Sequence, residues 1–300
     1  MRGTHHQQGV ALILVIWIMA LMGVLLGSFA LIARTENFES RHLLDGTTAR
    51  YAAQAGIARA VYELRNPDLA QRWVGDGRPY EFPFDDAIVR VELTDESGKI
   101  DVNSADDALL QGLFISVGVA PDQAVMLSDA IQDWRDPDDL ARPNGAENGE
   151  YQAAGLAYAP RNAPFQTVGE VQQVLGMNYE LFEKIEPAIT IYGGGTQPNP
   201  AYAPMQALLA LPGMTPDLAQ QLIAQRQQTV PGQPGGTGLT LPDGTPVMAN
   251  GGGNTYTIQS RATLANGAST TLDASIRLGG IGAAGQPYTV LRWDDQETSR

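Results

Sequence analysis

From Val10 to Ala33 the chain carries 24 consecutive residues without a charged side chain, VALILVIWIMALMGVLLGSFALIA. At about 1.5 Å of rise per helical residue such a run reaches about 36 Å, enough to cross a hydrocarbon core of about 30 Å. A membrane-spanning helix over 10–33 is the expectation. A secretory signal peptide is the competing reading, but its apolar region usually holds about 7–15 residues and closes on a small-x-small cleavage site. This run is longer, and no such site closes it convincingly. The segment before it contains Arg2, His5 and His6 and no acid, so the positive-inside rule leaves the short N-terminus in the cytoplasm. Everything after Ala33 is then sent outward.

The helix is predicted to continue beyond the apolar run, over 34–66. Leu44, Thr48, Tyr51, Ala55, Ala58 and Tyr62 recur at spacings of 4, 3, 4, 3 and 4, a stripe on one face that is expected to pack on a core. Arg65-Asn66-Pro67 ends it, because proline disfavours helical geometry in the residue before it. One helix of about fifty residues results, half in lipid and half on a soluble unit.

Phe82 to Leu93 alternates well enough for a strand, and Glu96-Ser97-Gly98-Lys99 turns the chain, so 67–100 is read as the first part of an α/β unit. Residues 101–228 read as mostly helical, with Asn103, Pro121, Pro164 and Pro216 at helix starts or breaks. Residues 229–254 hold 8 Gly and 4 Pro in 26 positions, which predicts a loop or a loose hairpin around Asp243-Gly244. TYTIQSRATL and STTLDASIRL then alternate on either side of Ala265-Asn266-Gly267-Ala268, and YTVLRW follows at Tyr288 to Trp293. The fold class expected is α+β: a long N-terminal helix, strands, and an all-α block inserted between them, with 229–300 completing the sheet. Within the block a helix–turn–helix pattern recurs at Ala108 to Ala130, Val168 to Ile185 and Ala207 to Ile223, turning at Gly118, Gly176 and Gly213.

Charge and composition narrow the function. Lys+Arg number 19 and Asp+Glu 33, a formal charge of −14, which opposes coating of nucleic-acid phosphates. The acidity is local: 95–150 contains 13 acids against Lys99, Arg135 and Arg142, which accounts for −10 of it. There is no cysteine, so disulfides, thiolate nucleophiles and cysteine-ligated metals are excluded. Only His5, His6 and His42 exist, far from the bulk of the chain, which disfavours a His-based triad or metal centre. No G-x-S-x-G, HExxH or phosphate-binding loop is present, and Gly193-Gly194-Gly195 and Gly251-Gly252-Gly253 read as linkers.

The sharpest polar stretch is Asp133-Trp134-Arg135-Asp136-Pro137-Asp138-Asp139, followed by Asn144 through Glu147, Glu150 and Tyr151. Two readings stand. One is a solvated acidic loop; the other is a calcium site, since hard oxygen donors without His or Cys suit that ion. Crowded like charges repel unless neutralised, and apolar Trp134 and Tyr151 at the borders imply that the stretch packs down. The spacing is not that of an EF-hand.

Taken in order, these features resemble the minor pseudopilin K of type II secretion systems. Gln8-Gly9 before Val10-Ala11-Leu12-Ile13 resembles a prepilin peptidase site, with cleavage after Gly9 leaving Val10 as a methylated N-terminus and 1–9 as leader. Most pilin-like subunits carry Glu at the fifth mature position; here it is Leu14, a departure typical of the K type. A carboxylate in mid-membrane is expensive unless paired, so a subunit without one has no need of an amine from a neighbour above it. Ser97 to Asn103, the Asp133 to Tyr151 stretch, Ala163-Pro164 through Val171, and Leu211-Pro212-Gly213-Met214 carry the rest of the resemblance.

The resemblance implies a pilin-like long helix packed on an antiparallel sheet, with a large helical domain inserted between strands. It also implies a non-enzymatic place at the periplasmic tip of a pseudopilus, anchored in the inner membrane by one pass. There the protein would initiate assembly and limit fibre length, beside the minor pseudopilins I and J. The prepilin peptidase is the expected processing partner, and no nucleic acid is expected. It implies structural calcium, for which Asp133, Asp136, Asp138 and Glu147 match, with Asp139 and Glu150 as further candidates. The rival classes are a membrane-anchored DNA-binding module built on the helical hairpins and a periplasmic hydrolase using the acidic stretch.

Overall fold

The structure is a computed structural model that describes residues 8–228, 240–247, 252–279 and 287–296. Helix α1 runs without a break over Gln8–Leu64. Its apolar window has a mean hydropathy of 2.6 and buries nothing within the protein, so length and composition suit a membrane span and packing does not make it a core helix. After Leu64 the chain turns at Asn66, whose side chain accepts from the Asp68 amide, and Pro67 follows.

The soluble half of α1 lies on a five-stranded antiparallel sheet, β1 (Asp76–Phe84), β2 (Ala87–Asp95), β5 (Thr255–Leu264), β6 (Ser269–Leu278) and β7 (Tyr288–Gln296), in that spatial order. The stripe expected to face the core is in fact the outward face: Leu44, Tyr51 and Tyr62 are exposed. The buried face is Ala49, Ala52, Ala53, Gly56, Ile57, Ala60, Val61 and Leu64, turned roughly one residue around the helix. Small residues let the helix axis approach the sheet. At Gly56 any side chain would overlap Ser260, with Val89 and Val91 immediately behind.

The single strand expected over Phe82 to Leu93 is two strands. A tight turn at Asp85-Asp86, with Asp85 at φ +52°, folds β1 onto β2 in the register Phe84↔Ala87. Pro79 and Pro83 hide β1 from strand patterning, but at the sheet edge an absent N–H is tolerated. The C-terminal hairpin matches the sequence reading, and its turn has Gly267 at φ +87°.

Between β2 and β5 lie β3 (Ile100–Asp101), α2 (Asp107–Ser116), α3 (Pro121–Arg135), α4 (Asn148–Ala153), α5 (Tyr179–Ile185), β4 (Ile189–Thr190), α6 (Met205–Leu209) and α7 (Pro216–Gln228). β3 and β4 pair in parallel. The helices close over their own apolar core, with Leu110, Leu113, Phe114, Leu127, Ile131, Tyr151 and Leu208 among its fully buried members. A separate core lies between α1 and the sheet. Although about 160 residues separate them, β2 and β5 are direct neighbours, with Asp95 opposite Tyr256. The helical segment therefore leaves and rejoins one end of a continuous sheet. That end is the one remote from the apolar half of α1: the opposite end, the β5–β6 turn, touches the middle of α1 through Asn266 Nδ2 donating to Asp45 at 2.7 Å.

The loop expected over 229–254 falls largely outside the described residues. Its described centre forms a turn in which Thr240 bridges Pro246 around Gly244 at φ +86°. The glycine stretches read as linkers serve as sockets where they are described. The Gly194 amide donates to Asp101 at 2.8 Å and the Gly253 amide to Asp95 at 2.8 Å. At Gly252 an added Cβ would stand 2.7 Å from the Asp95 carboxylate.

Candidate functional site

The acidic stretch begins on the last turn of α3, whose inner face is fully packed. Trp134 stacks on Phe165 at 5.8 Å and meets Tyr151 at 6.1 Å. The Tyr151 hydroxyl accepts from the Leu175 amide at 2.8 Å, which fixes α4 behind the loop. Arg135 closes α3 by donating to the Val102 and Ala105 carbonyls at 2.5 and 2.7 Å.

Asp133 is wholly buried. It accepts from the Arg142 amide at 3.1 Å and faces the Arg142 guanidinium at 3.5 Å. Burial, more than these partners can offset, pushes its carboxyl above the usual range. Asp136 has one oxygen buried with no partner among the described residues, and burial followed by the nearby Asp138 charge raises it too. Glu147 is 5% exposed, and its Oε1 is likewise buried without a partner. Burial and then the charges of Asp133, Asp136, Asp139 and Asp138 push Glu147 up to about 7.

The remaining candidates are engaged differently. Asp138 is exposed and accepts from the Leu140 amide at 2.9 Å. Asp139 accepts from Asn162 Nδ2 at 2.8 Å. Glu150 turns back on the Glu147 amide at 2.8 Å, the reciprocal half of a helix N-terminal cap on α4. Gly9 and Val10 fall in the first turn of α1, and the residues before Gln8 lie outside the described residues.

Asp133, Asp136, Asp138, Asp139 and Glu147 thus share one electrostatic neighbourhood. Among the described residues, however, no three acidic or histidine side chains stand close enough to hold an ion as they are placed. The chemistry fits a hard cation nonetheless: all donors are oxygens, and two of them, Asp136 Oδ1 and Glu147 Oε1, are buried with no partner among the described residues.

Sequence reasoning missed three supports of this loop. Asn162, at φ +50°, donates to the Asp138 carbonyl at 2.8 Å as well as to Asp139. Asn144 is given no such role by its spacing, yet its amide and side chain both donate to Asp129, at 3.2 and 3.1 Å. Gly145 lies so close to Asp133 that any side chain would overlap the carboxylate. The one signal available was Asn162 itself, since Asn tolerates the left-handed region better than most residues.

Of the helical turns considered as alternative nucleic-acid contacts, the one at Gly118 is open and the one at Gly213 is covered. At Gly213, φ +73°, Pro242 stands 3.2 Å from the position a Cβ would take.

Comparison with known proteins bears on most of the chain. A family model described as type II secretion system (T2SS), protein K, matches residues 90–194. The type II secretion system protein K of Klebsiella pneumoniae is 29% identical over 252 residues, which is 75% of this chain and 77% of that one. The same protein of Pectobacterium carotovorum subsp. carotovorum is 24% identical over 250 residues, 74% of this chain and 76% of its own. In fold, the chain resembles one in the crystal structure of the GspK-GspI-GspJ complex from the enterotoxigenic Escherichia coli type 2 secretion system. The TM-score is 0.56 at 19% identity, covering 89% of this chain and 99% of that one.

Proposed function

From its kinship with type II secretion system protein K, we propose that the chain is the minor pseudopilin that caps the tip of the pseudopilus. In this reading α1 anchors it by a single pass in the inner membrane, and the rest lies in the periplasm. Prepilin peptidase removes 1–9 and leaves Val10 as the N-terminus. Residues 101–228 act as one inserted unit. The partners are the minor pseudopilins I and J, the counterparts of GspI and GspJ in the similar complex. The protein initiates assembly, limits fibre length and catalyses nothing.

The observation that carries this reading is the exit point of the helical segment. It departs from the sheet at Asp95 and Tyr256, the end away from the apolar half of α1. A subunit stacking along the fibre axis on that side would meet helical bulk instead of a free α1 groove. Leu14 supports the same polarity, because an uncharged fifth mature position makes no demand on a subunit above. Deleting 101–228, so that β2 runs by a short turn into β5, is expected to leave fibres of uncontrolled length and to lower export of folded proteins. Normal length and normal secretion would defeat the capping function.

Calcium belongs to the same reading. Asp133, Asp136, Asp138 and Glu147 would hold the ion, which would supply positive charge where four carboxylates crowd and two oxygens lack partners. Its role would be to set the conformation of the loop between α3 and α4 and so to hold the helical core together without a disulfide.

A further inference from the structure

Two arginines, Arg226 buried and Arg78 half-buried, join the helical segment to the sheet, and neither was singled out by the sequence. Arg226, near the C-terminus of α7, is 5% exposed. Its Nη1 donates to the carbonyls of Ala203 at 2.7 Å and Pro200 at 3.2 Å, and its Nη2 crosses to β1 to reach the Asp76 carbonyl at 3.2 Å. Arg78 on β1 makes the return contact, with Nη2 donating to the Arg226 carbonyl at 2.8 Å. The Asp76 carboxylate is itself buried and binds Arg78 in a fork, with Nε at 2.9 Å and Nη2 at 2.7 Å. Each arginine thus grips the backbone of the element that carries the other.

The arrangement is unusual in its chemistry. Among the described residues Arg226 has no carboxylate ion pair; its head group is satisfied by three carbonyls, and its Nε has no partner. A guanidinium is expensive to desolvate, and burial pulls this one below its ordinary range. Core filling alone would be served better by an apolar side chain of similar size. What the guanidinium offers instead is a rigid fork of donors, able to define both distance and angle between three backbone segments.

The opposite side of the junction is pinned as well. Glu96 is buried, pairs with Lys99 at 2.7 Å, and accepts from Thr190 on β4 and from Thr257 on β5 at 2.7 Å. Gly98 packs so closely on the Tyr202–Ala203 peptide that a side chain would overlap it. The loop held by Arg226 at Pro200 and Ala203 is therefore also seated on the turn after β2.

We propose that the reciprocal Arg78–Arg226 clasp sets the orientation of the helical segment on the sheet, so that the two cores move as one body, with Arg226 as the positioning residue. The inference deepens the capping reading and depends on it only for its consequence: a cap that swivelled on its stalk would not close a fibre end.

The absence of cysteine makes the test direct. Spin labels on the full-length protein in detergent, at the exposed positions Thr263→Cys on β5 and Gln123→Cys on α3, report the distance between the two units. A single narrow distribution is expected for the otherwise unaltered chain. Arg226→Met is expected to widen it at least twofold, while a second label pair within the sheet, Thr263→Cys with Val290→Cys at the far end of β7, stays unchanged. Arg226→Lys is expected to recover much of the narrow distribution, because an ammonium still donates to carbonyls. An Arg226→Met distribution as narrow as the parent's, at the same distance, would overturn the proposal. Should Arg226→Met fail to fold, Arg78→Leu leaves the contacts of Arg226 to Pro200 and Ala203 in place and is expected to widen the distribution in the same sense. An unchanged width there, or loss of folding in both variants, would count against an orienting role. No fibre and no partner enters the measurement, so its failure leaves the capping reading standing. Normal fibre length in the deletion described above would remove that reading and leave the clasp.

Discussion

Gly145 and Asp133 show how closely the acidic loop is drawn. The buried carboxylate occupies the space that any side chain at 145 would need, and Asn162 and Asn144 tie the two limbs of the loop with side-chain amides. Gly145→Val is expected to lower unfolding stability by about 1–3 kcal/mol, read by urea denaturation of the detergent-solubilised chain. Calcium provides the second prediction. At a concentration about 100-fold above Kd the ion should add about 2.7 kcal/mol, seen as a raised Tm that chelator reverses. Asp138→Asn should weaken that response while leaving the metal-free Tm unchanged or higher, since it removes one charge from the group that crowds Glu147. A Tm indifferent to chelator would exclude a structural ion. The acids of this loop were readable from their density along the chain. Their amide ties were not, because Asn162 lies 24 residues from Asp138 and nothing in its local sequence points across that gap.

At the scale of elements, the best-read parts are those whose pattern and context agree. β5 and β6 alternate, are joined by Asn-Gly, and fall where the alternation puts them. α1 ends at Leu64, ahead of Pro67. β1 was missed because Pro79 and Pro83 argue against a strand, and only its position at the sheet edge removes the objection. The core face of α1 was misread for a related reason. Periodicity favours large residues, whereas the sheet lies so near that Ala49, Ala52, Ala53, Gly56 and Ala60 form the contact and Tyr51 and Tyr62 are turned out. Closeness of packing is a tertiary property that a stripe of small residues does not announce. It yields a test of its own: Gly56→Leu would push α1 off Ser260 and Val89, and is expected to destabilise the sheet unit by about 1–3 kcal/mol. Tyr62→Leu, on the exposed face, should stay within about 0.5 kcal/mol. Equal effects in urea unfolding would mean that the face assignment is wrong.

The described residues of the whole molecule form one long helix, one sheet unit and one helical unit, and each of the two units has its own core. Insertion at a point where β2 and β5 are neighbours explains how so large a segment can be carried without interrupting the sheet. The charge balance fits this division, since most of the excess acid lies within 95–150, in and around the helical unit. In the proposed reading a protein of this build, similar to type II secretion system protein K, is the end piece of a fibre held by its partners. The most direct test is copurification of the full-length chain, solubilised in detergent, with the minor pseudopilins I and J of its own system. The account predicts a stable complex containing one copy of each, which forms with I and J together and not with DNA. A chain that elutes alone in the presence of both would contradict it.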